Sequence, residues 1–91
     1  MWYVYMLEYK DGSIYTGVTD NLKRRLKEHK SKATHYTSYN PPTELIHREP
    51  FNNKLEAEKR EAQIKRWSKA KKIALIKGDL KKLRDLSRSR D

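Results

Sequence analysis

The dipeptide Asp11-Gly12 separates two runs rich in aromatic and β-branched residues, Trp2 to Tyr9 (WYVYMLEY) and Ile14 to Thr19 (IYTGVT), and constrains this chain more than any other feature. Asp-Gly supplies a turn with a left-handed residue, and the flanking runs suit paired strands, so residues 2–19 are predicted to form a β-hairpin. The turn length decides which side chains share a face. A two-residue turn at Asp11-Gly12 pairs Tyr9 with Ile14. A three-residue turn at Lys10-Asp11-Gly12, with Gly12 left-handed, pairs Tyr9 with Ser13 and inverts one strand's faces relative to the other. The three-residue turn is preferred because it gathers Val4, Met6, Ile14 and Val18 on one face, with Trp2 at its edge. It places Tyr3, Tyr5, Leu7, Tyr9, Tyr15, Gly17 and Thr19 on the other. Tyr5 then faces Gly17, and the missing side chain leaves space beside the Tyr5 and Tyr15 phenols. Tyr3 and Tyr9 read as ordinary half-buried strand tyrosines.

A helix follows over about residues 21–32, with Asp20 as its expected N-cap. Leu22, Leu26 and His29 recur on one face, and Arg25 stands on the flank of that stripe, four residues before His29. Read alone, Arg25 is one base among 22 and His29 a C-terminal histidine favoured by the helix dipole. Residues 31–43 read as a loop ending in Pro41-Pro42. It carries His35, Tyr36 and Tyr39, interleaving basic and aromatic groups as stacking surfaces do, or serving as a plain surface loop. Residues 44–51 form a third strand, with Pro50 at an edge or end.

Asn52 or Asn53 caps a helix over about 54–68. Ala57, Ile64 and Trp67 share its broad apolar face, with Glu61 at the margin, while Leu55 and Ala62 lie opposite, which predicts contact from two sides. A carboxylate in Glu61's position needs a base, a metal ion or a proton as partner, and Arg60 and Lys65 are the nearest bases. Residues 68–77 form a basic amphipathic segment stopped by Gly78, and Asp79 caps a last short helix over 80–86. The expected architecture is α+β: a three-stranded antiparallel sheet flanked by three to four helices, in one domain over 1–86, with 87–91 a frayed tail.

Composition narrows the function. The sequence has no cysteine, which excludes disulfide scaffolds, cysteine zinc sites and thiol chemistry. No apolar run approaches a membrane span of roughly 18 residues, and MWYVYML reads as strand rather than signal peptide, so a soluble cytoplasmic protein without a membrane partner is expected. The formal charge is +10, and self-repulsion of that size works against compactness, which points to a polyanionic partner. The charge is uneven: residues 54–91 hold 14 bases against 6 acids, whereas residues 1–53 hold 8 against 6. Lys71 and Lys72 are the expected phosphate contacts in the basic half, and Tyr36 a further substrate contact.

Tyr3-Val4-Tyr5, nine further residues and then Tyr15-Thr16-Gly17 resemble the paired tripeptides of the GIY-YIG nuclease superfamily. Arg25 stands ten residues after Tyr15, His29 four further on, and Glu61 lies in a later helix, in the order of that family's arginine, histidine and glutamate. The likeness spans about residues 2–77 and is greatest to small stand-alone bacterial members. Tyr3 replaces the first motif's glycine, Val4 and Thr16 replace isoleucines, and Val18 and Ile73 stand where some members have a polar residue. The resemblance implies metal-dependent phosphodiester hydrolysis on nucleic acid, most readily DNA. Glu61 would hold one divalent cation, Mg²⁺ or Mn²⁺. Tyr15 or His29 would serve as general base, Arg25 would balance phosphoryl charge, Tyr5 would position the water or Tyr15, and Gly17 would admit the phosphate. Two other readings compete: a binding module that keeps the fold with little turnover, and a structural protein in which the same residues only pack.

Overall fold

The computed structural model describes residues 1–31 and 42–88. Two strands, β1 (Trp2–Tyr9) and β2 (Ile14–Thr19), are followed by α1 (Leu22–Ser31) and β3 (Pro42–Phe51). Three helices complete the chain: α2 (Lys54–Lys65), α3 (Lys69–Lys77) and α4 (Leu80–Arg88). The fold is the expected α+β arrangement, an antiparallel sheet of order β2-β1-β3 with four helices. Tyr36, His35 and Tyr39 lie outside the described residues.

The hairpin adopts the three-residue turn. Gly12 has φ +86°, the Tyr9 amide donates to the Ser13 carbonyl at 2.9 Å, and the ladder runs from Glu8 opposite Ile14 to Tyr3 opposite Thr19. Both faces of the sheet are covered. Val4 and Met6 pack with Ala57 and Ile64 of α2, joined at the margin by Trp2, Ile14, Val18, Ile46, Phe51 and Trp67. Tyr5, Leu7 and Tyr9 pack beneath Leu22 and Leu26 of α1, with Tyr15 and Leu45 alongside. β1 is therefore buried on both sides, and its run of apolar side chains is what a central strand requires. The third strand begins two residues before the expected position, and two register shifts against β1 let it follow the sheet's twist.

Helix ends show how local chemistry sets boundaries. The cap of α1 is Asn21 rather than Asp20. The Arg24 amide donates to Asn21 Oδ1 at 3.0 Å, while the Asp20 carboxylate is drawn to the Arg24 guanidinium at 3.4 Å. The Asn21 amide, in turn, donates to Thr19 Oγ1 at 3.1 Å, fixing the chain's entry. Asn53 caps α2 through the Glu56 amide, Ser68 caps α3 through the Lys71 amide, and Gly78 closes α3 at φ +69°. Asp79 caps α4 through the Lys82 amide, and that helix runs two residues beyond the expected end at 86.

One expectation for α2 fails. Leu55 is 60% exposed and Ala62 is exposed as well, so the helix packs through one side only. It forms the outer layer on its face of the sheet, and the stripe of Ala57 and Ile64 already supplies the contact with the strands. A polar strut also ties it to β3. Arg60 donates from Nε to Glu49 Oε1 at 2.9 Å and from Nη2 to Glu49 Oε2 at 3.2 Å, and His47 Nε2 lies 2.8 Å from the same carboxylate.

Candidate active site

The sheet face beneath α1 carries the chemistry. Odd-numbered residues of β1 and β2 point there, so Tyr5, Tyr9, Tyr15 and Gly17 share one surface. On α1, Arg25 and His29 stand one turn apart and lean onto it. Arg25 Nε donates to the Tyr5 hydroxyl at 3.1 Å, and His29 Nε2 lies 3.1 Å from the same oxygen. The other imidazole nitrogen, Nδ1, is 3.3 Å from the Tyr9 hydroxyl. The Tyr15 ring stands 5.1 Å from the imidazole and 6.0 Å from the Tyr5 ring, centroid to centroid. Two side chains of α1 thus meet on one phenol oxygen of β1, with the Tyr15 ring of β2 beside them.

Gly17 makes that convergence possible. A β-carbon built there would sit 2.7 Å from the Tyr5 hydroxyl oxygen and 2.8 Å from a Tyr15 ring carbon, closer than real side chains approach. The absence of a side chain at Gly17 is therefore a steric requirement of the two phenols.

The electrostatics fix the role of Tyr5. Burial pushes Tyr5 up to about 12, against the opposing hydrogen bond from Arg25 and with help from repulsion by Tyr15. Tyr5 therefore keeps its proton at neutral pH and works as a fixed hydroxyl. Arg25 is held still more firmly in its charged form, first by the Tyr5 hydroxyl and also by hydrogen bonding to Tyr15 and Glu28, against the cost of partial burial. Its guanidinium is only partly covered and also contacts Glu28 Oε1 at 3.3 Å.

Glu61 is carried by α2, a different element from those that hold the cluster. It lies between Ala57 and Ile64 on the sheet-facing stripe of α2, whose core partners Val4 and Met6 belong to the opposite sheet face. Its carboxylate is mostly covered and pairs with the exposed Lys65 at 3.2 Å, while Arg60, the other base expected beside it, turns to Glu49. The contacts that unite Tyr5, Tyr15, Arg25 and His29 do not include it. Among the described residues, no group of three or more His, Cys, Asp or Glu side chains forms a ready metal cage.

The basic half divides as well. Lys71 is buried, with its ammonium 4.8 Å from the Trp67 ring centre, and Arg60 stacks on the same indole at 5.1 Å. This lysine's ammonium is held in a cation–π contact with the indole. Lys72 is half-buried, and Tyr36 lies outside the described residues. The sequence reading missed Tyr9 as a member of the cluster. Its signal is the strand parity shared with Tyr5.

A small α+β domain whose sheet face buries a Tyr-Tyr-Arg-His constellation against a glycine has the form of a compact catalytic domain. The family model described as the GIY-YIG catalytic domain matches residues 1–74. A UPF0213 protein of Desulfotalea psychrophila is 42% identical over 82 residues, covering 88% of this chain and 74% of that protein. A UPF0213 protein of Syntrophus aciditrophicus is 46% identical over 77 residues, covering 82% and 88%. The solution NMR structure of a UPF0213 protein from Bacillus halodurans aligns with TM-score 0.56 at 43% identity, over 85% of this chain and 84% of that one. The chain belongs to the GIY-YIG family. Membership implies nuclease activity on nucleic acid, in a family generally dependent on a divalent metal. Among the described residues, no helix is long and apolar enough to cross a membrane.

Proposed function

We propose that this protein is a metal-dependent endonuclease that hydrolyses phosphodiester bonds in DNA. The observation that carries the reading is the Tyr5 hydroxyl, shared by Arg25 at 3.1 Å and His29 at 3.1 Å beside a glycine whose missing side chain makes room for the Tyr5 and Tyr15 rings. A guanidinium already charged and already oriented is suited to the oxygens of a phosphoryl group, where charge accumulates as water attacks. Preorganised donors of this kind contribute on the order of 2.7–4 kcal/mol.

Tyr15 is the better candidate base of the two. Both ring nitrogens of His29 lie within hydrogen-bond distance of phenols, Tyr5 and Tyr9, so neither is free to meet a water. A phenol acts as a base only after its own proton has left, which calls for a cation or a metal-bound water beside it. In the reaction, oxygen of water bonds to phosphorus as the bond to the leaving sugar oxygen breaks, the water's proton passes to the ionised Tyr15 oxygen, and the leaving oxygen takes a proton from solvent. Tyr5, kept protonated, holds Arg25 and His29 in place.

Glu61 would hold the divalent cation. A single hard, mostly covered carboxylate whose partner is an exposed lysine fits Mg²⁺ or Mn²⁺, which take one or two protein carboxylates and complete their shell with water and substrate phosphate. Such an ion would supply charge neutralisation at the phosphate and the leaving oxygen. The competing reading, a nucleic-acid-binding domain with little turnover, draws on the Glu61–Lys65 pair.

Cleavage of plasmid and of linear, single-stranded and branched DNA with Mg²⁺, Mn²⁺ or chelator tests the proposal. Cutting should require the metal, and Glu61→Ala should abolish it while DNA binding stays within about two-fold, well inside the roughly ten-fold that 1.4 kcal/mol represents. Full metal-dependent cutting by Glu61→Ala would refute the metal assignment, and binding without any cutting by the parent would leave the binding domain as the answer.

A further inference from the structure

Tyr9 is almost fully buried on the α1 face of β1, four residues along from Tyr5 and on the same side of the strand. Its hydroxyl lies 3.3 Å from His29 Nδ1, while Nε2 of the same ring lies 3.1 Å from the Tyr5 hydroxyl, which accepts from Arg25 Nε at 3.1 Å. The four side chains therefore form one file: guanidinium, phenol, imidazole, phenol. We propose that Tyr9 is a positioning residue that selects the His29 tautomer, accepting from Nδ1–H so that Nε2 presents its lone pair to the Tyr5 hydroxyl.

The direction follows from donor counting. Arg25 can only donate, so the Tyr5 oxygen is an acceptor at that end. Tyr5 retains its single O–H, and giving it to Nε2 lets every donor point the same way along the file, the arrangement in which successive hydrogen bonds polarise one another. The neutral imidazole then carries its proton on Nδ1, and the Tyr9 oxygen receives it. Without the Tyr9 hydroxyl that nitrogen would lose this acceptor, and the ring would be freer to turn or to exchange tautomers. The Tyr5 hydroxyl would lose its fixed acceptor, and Arg25 the fixed phenol that orients it. The kinetic consequence rests on the nuclease reading; the tautomer does not.

Nitrogen-15 NMR of the imidazole rings tests both parts, at a pH roughly two units above the ordinary histidine value of about 6.5, with His29 assigned by comparison with His29→Gln. The parent should show His29 predominantly as the Nδ1–H form. Tyr9→Phe, which keeps the packing ring, should lower the ratio of Nδ1–H to Nε2–H by roughly five-fold, as expected for one modest hydrogen bond. Tyr5→Phe should shift the ratio in the same direction, which keeps the test decisive if Tyr9→Phe folds poorly. In the cleavage assay Tyr9→Phe should lower kcat by roughly five-fold and leave KM unchanged, the pattern of lost orientation rather than lost binding. An Nε2–H parent, or tautomer ratios unmoved in both variants, overturns the proposal. So does a shifted tautomer with an unchanged kcat. If the parent cuts no DNA, the nuclease reading fails, and the nitrogen spectra still decide whether Tyr9 sets the ring.

Discussion

Gly17→Ala tests the site most directly, because its effect can be worked from distances. Gly17 does not occupy left-handed backbone, so alanine meets no conformational penalty there, and the loss of chain entropy in the unfolded state would by itself stabilise by about 0.4–1 kcal/mol. The steric effect has the opposite sign and is larger. The new methyl would stand 2.7 Å from the Tyr5 hydroxyl, 2.8 Å from Tyr5 Cζ and 2.8 Å from Tyr15 Cε2. The Tyr5 ring is fully buried and cannot swing into solvent. Overpacking of this kind costs about 1–3 kcal/mol, and weakening a hydrogen bond from a charged group adds about 1.5–3, so after the entropic gain a net loss of roughly 1.5–5.5 kcal/mol is expected. At about 4–8 °C per kcal/mol for a domain of this size, the thermal midpoint should fall by roughly 6 °C or more. Circular dichroism melts of the parent, Gly17→Ala, Tyr5→Phe and the double variant form a cycle. Tyr5→Phe removes only the closest of the three contacts, so it should relieve about 0.5–1 kcal/mol of the alanine penalty and no more. A Gly17→Ala protein melting within about 2 °C of the parent, a small fraction of the shift expected per kcal/mol, would refute the steric account of the glycine.

Three further outcomes are expected. Arg25→Ala should lower the cleavage rate by about 10²–10³ with DNA binding little changed, and an unaltered rate would return Arg25 to the general surface charge. Glu49 is raised by burial, but hydrogen bonds and charge from Arg60 and His47 outweigh this and hold it below the usual carboxylate range. Its stabilising contribution is therefore full above the unfolded carboxylate value of about 4.3 and is lost as pH falls below it. Acid melts of Glu49→Gln should be less steep in that window than those of the parent, and parallel curves would deny the strut its role. Thr16 is 3% exposed and, among the described residues, its hydroxyl has no hydrogen-bond partner, so Thr16→Val should raise stability by about 1–3 kcal/mol in thermal unfolding, and a destabilised variant would show that the hydroxyl is satisfied in solution.

Much of this architecture was legible in the order of the residues because the information is local. Asp11-Gly12 sets the turn, alternation sets the faces of β1 and β2, and Asn53, Gly78 and Asp79 mark helix ends through bonds reaching only a few residues. The same alternation brought Tyr5, Tyr15 and Gly17 together, and helical spacing paired Arg25 with His29. Only the tertiary structure decided what depends on contacts across the chain. It sent Arg60 to Glu49 and left Lys65 to Glu61, because β3 places a carboxylate within reach of α2. It withdrew Lys71 onto Trp67 and drew Tyr9 into the histidine's shell. A side chain's period along the chain tells which way it points; which partner waits there is set by how separate elements pack, and hydrogen bonds and ion pairs of a few ångströms depend on that packing.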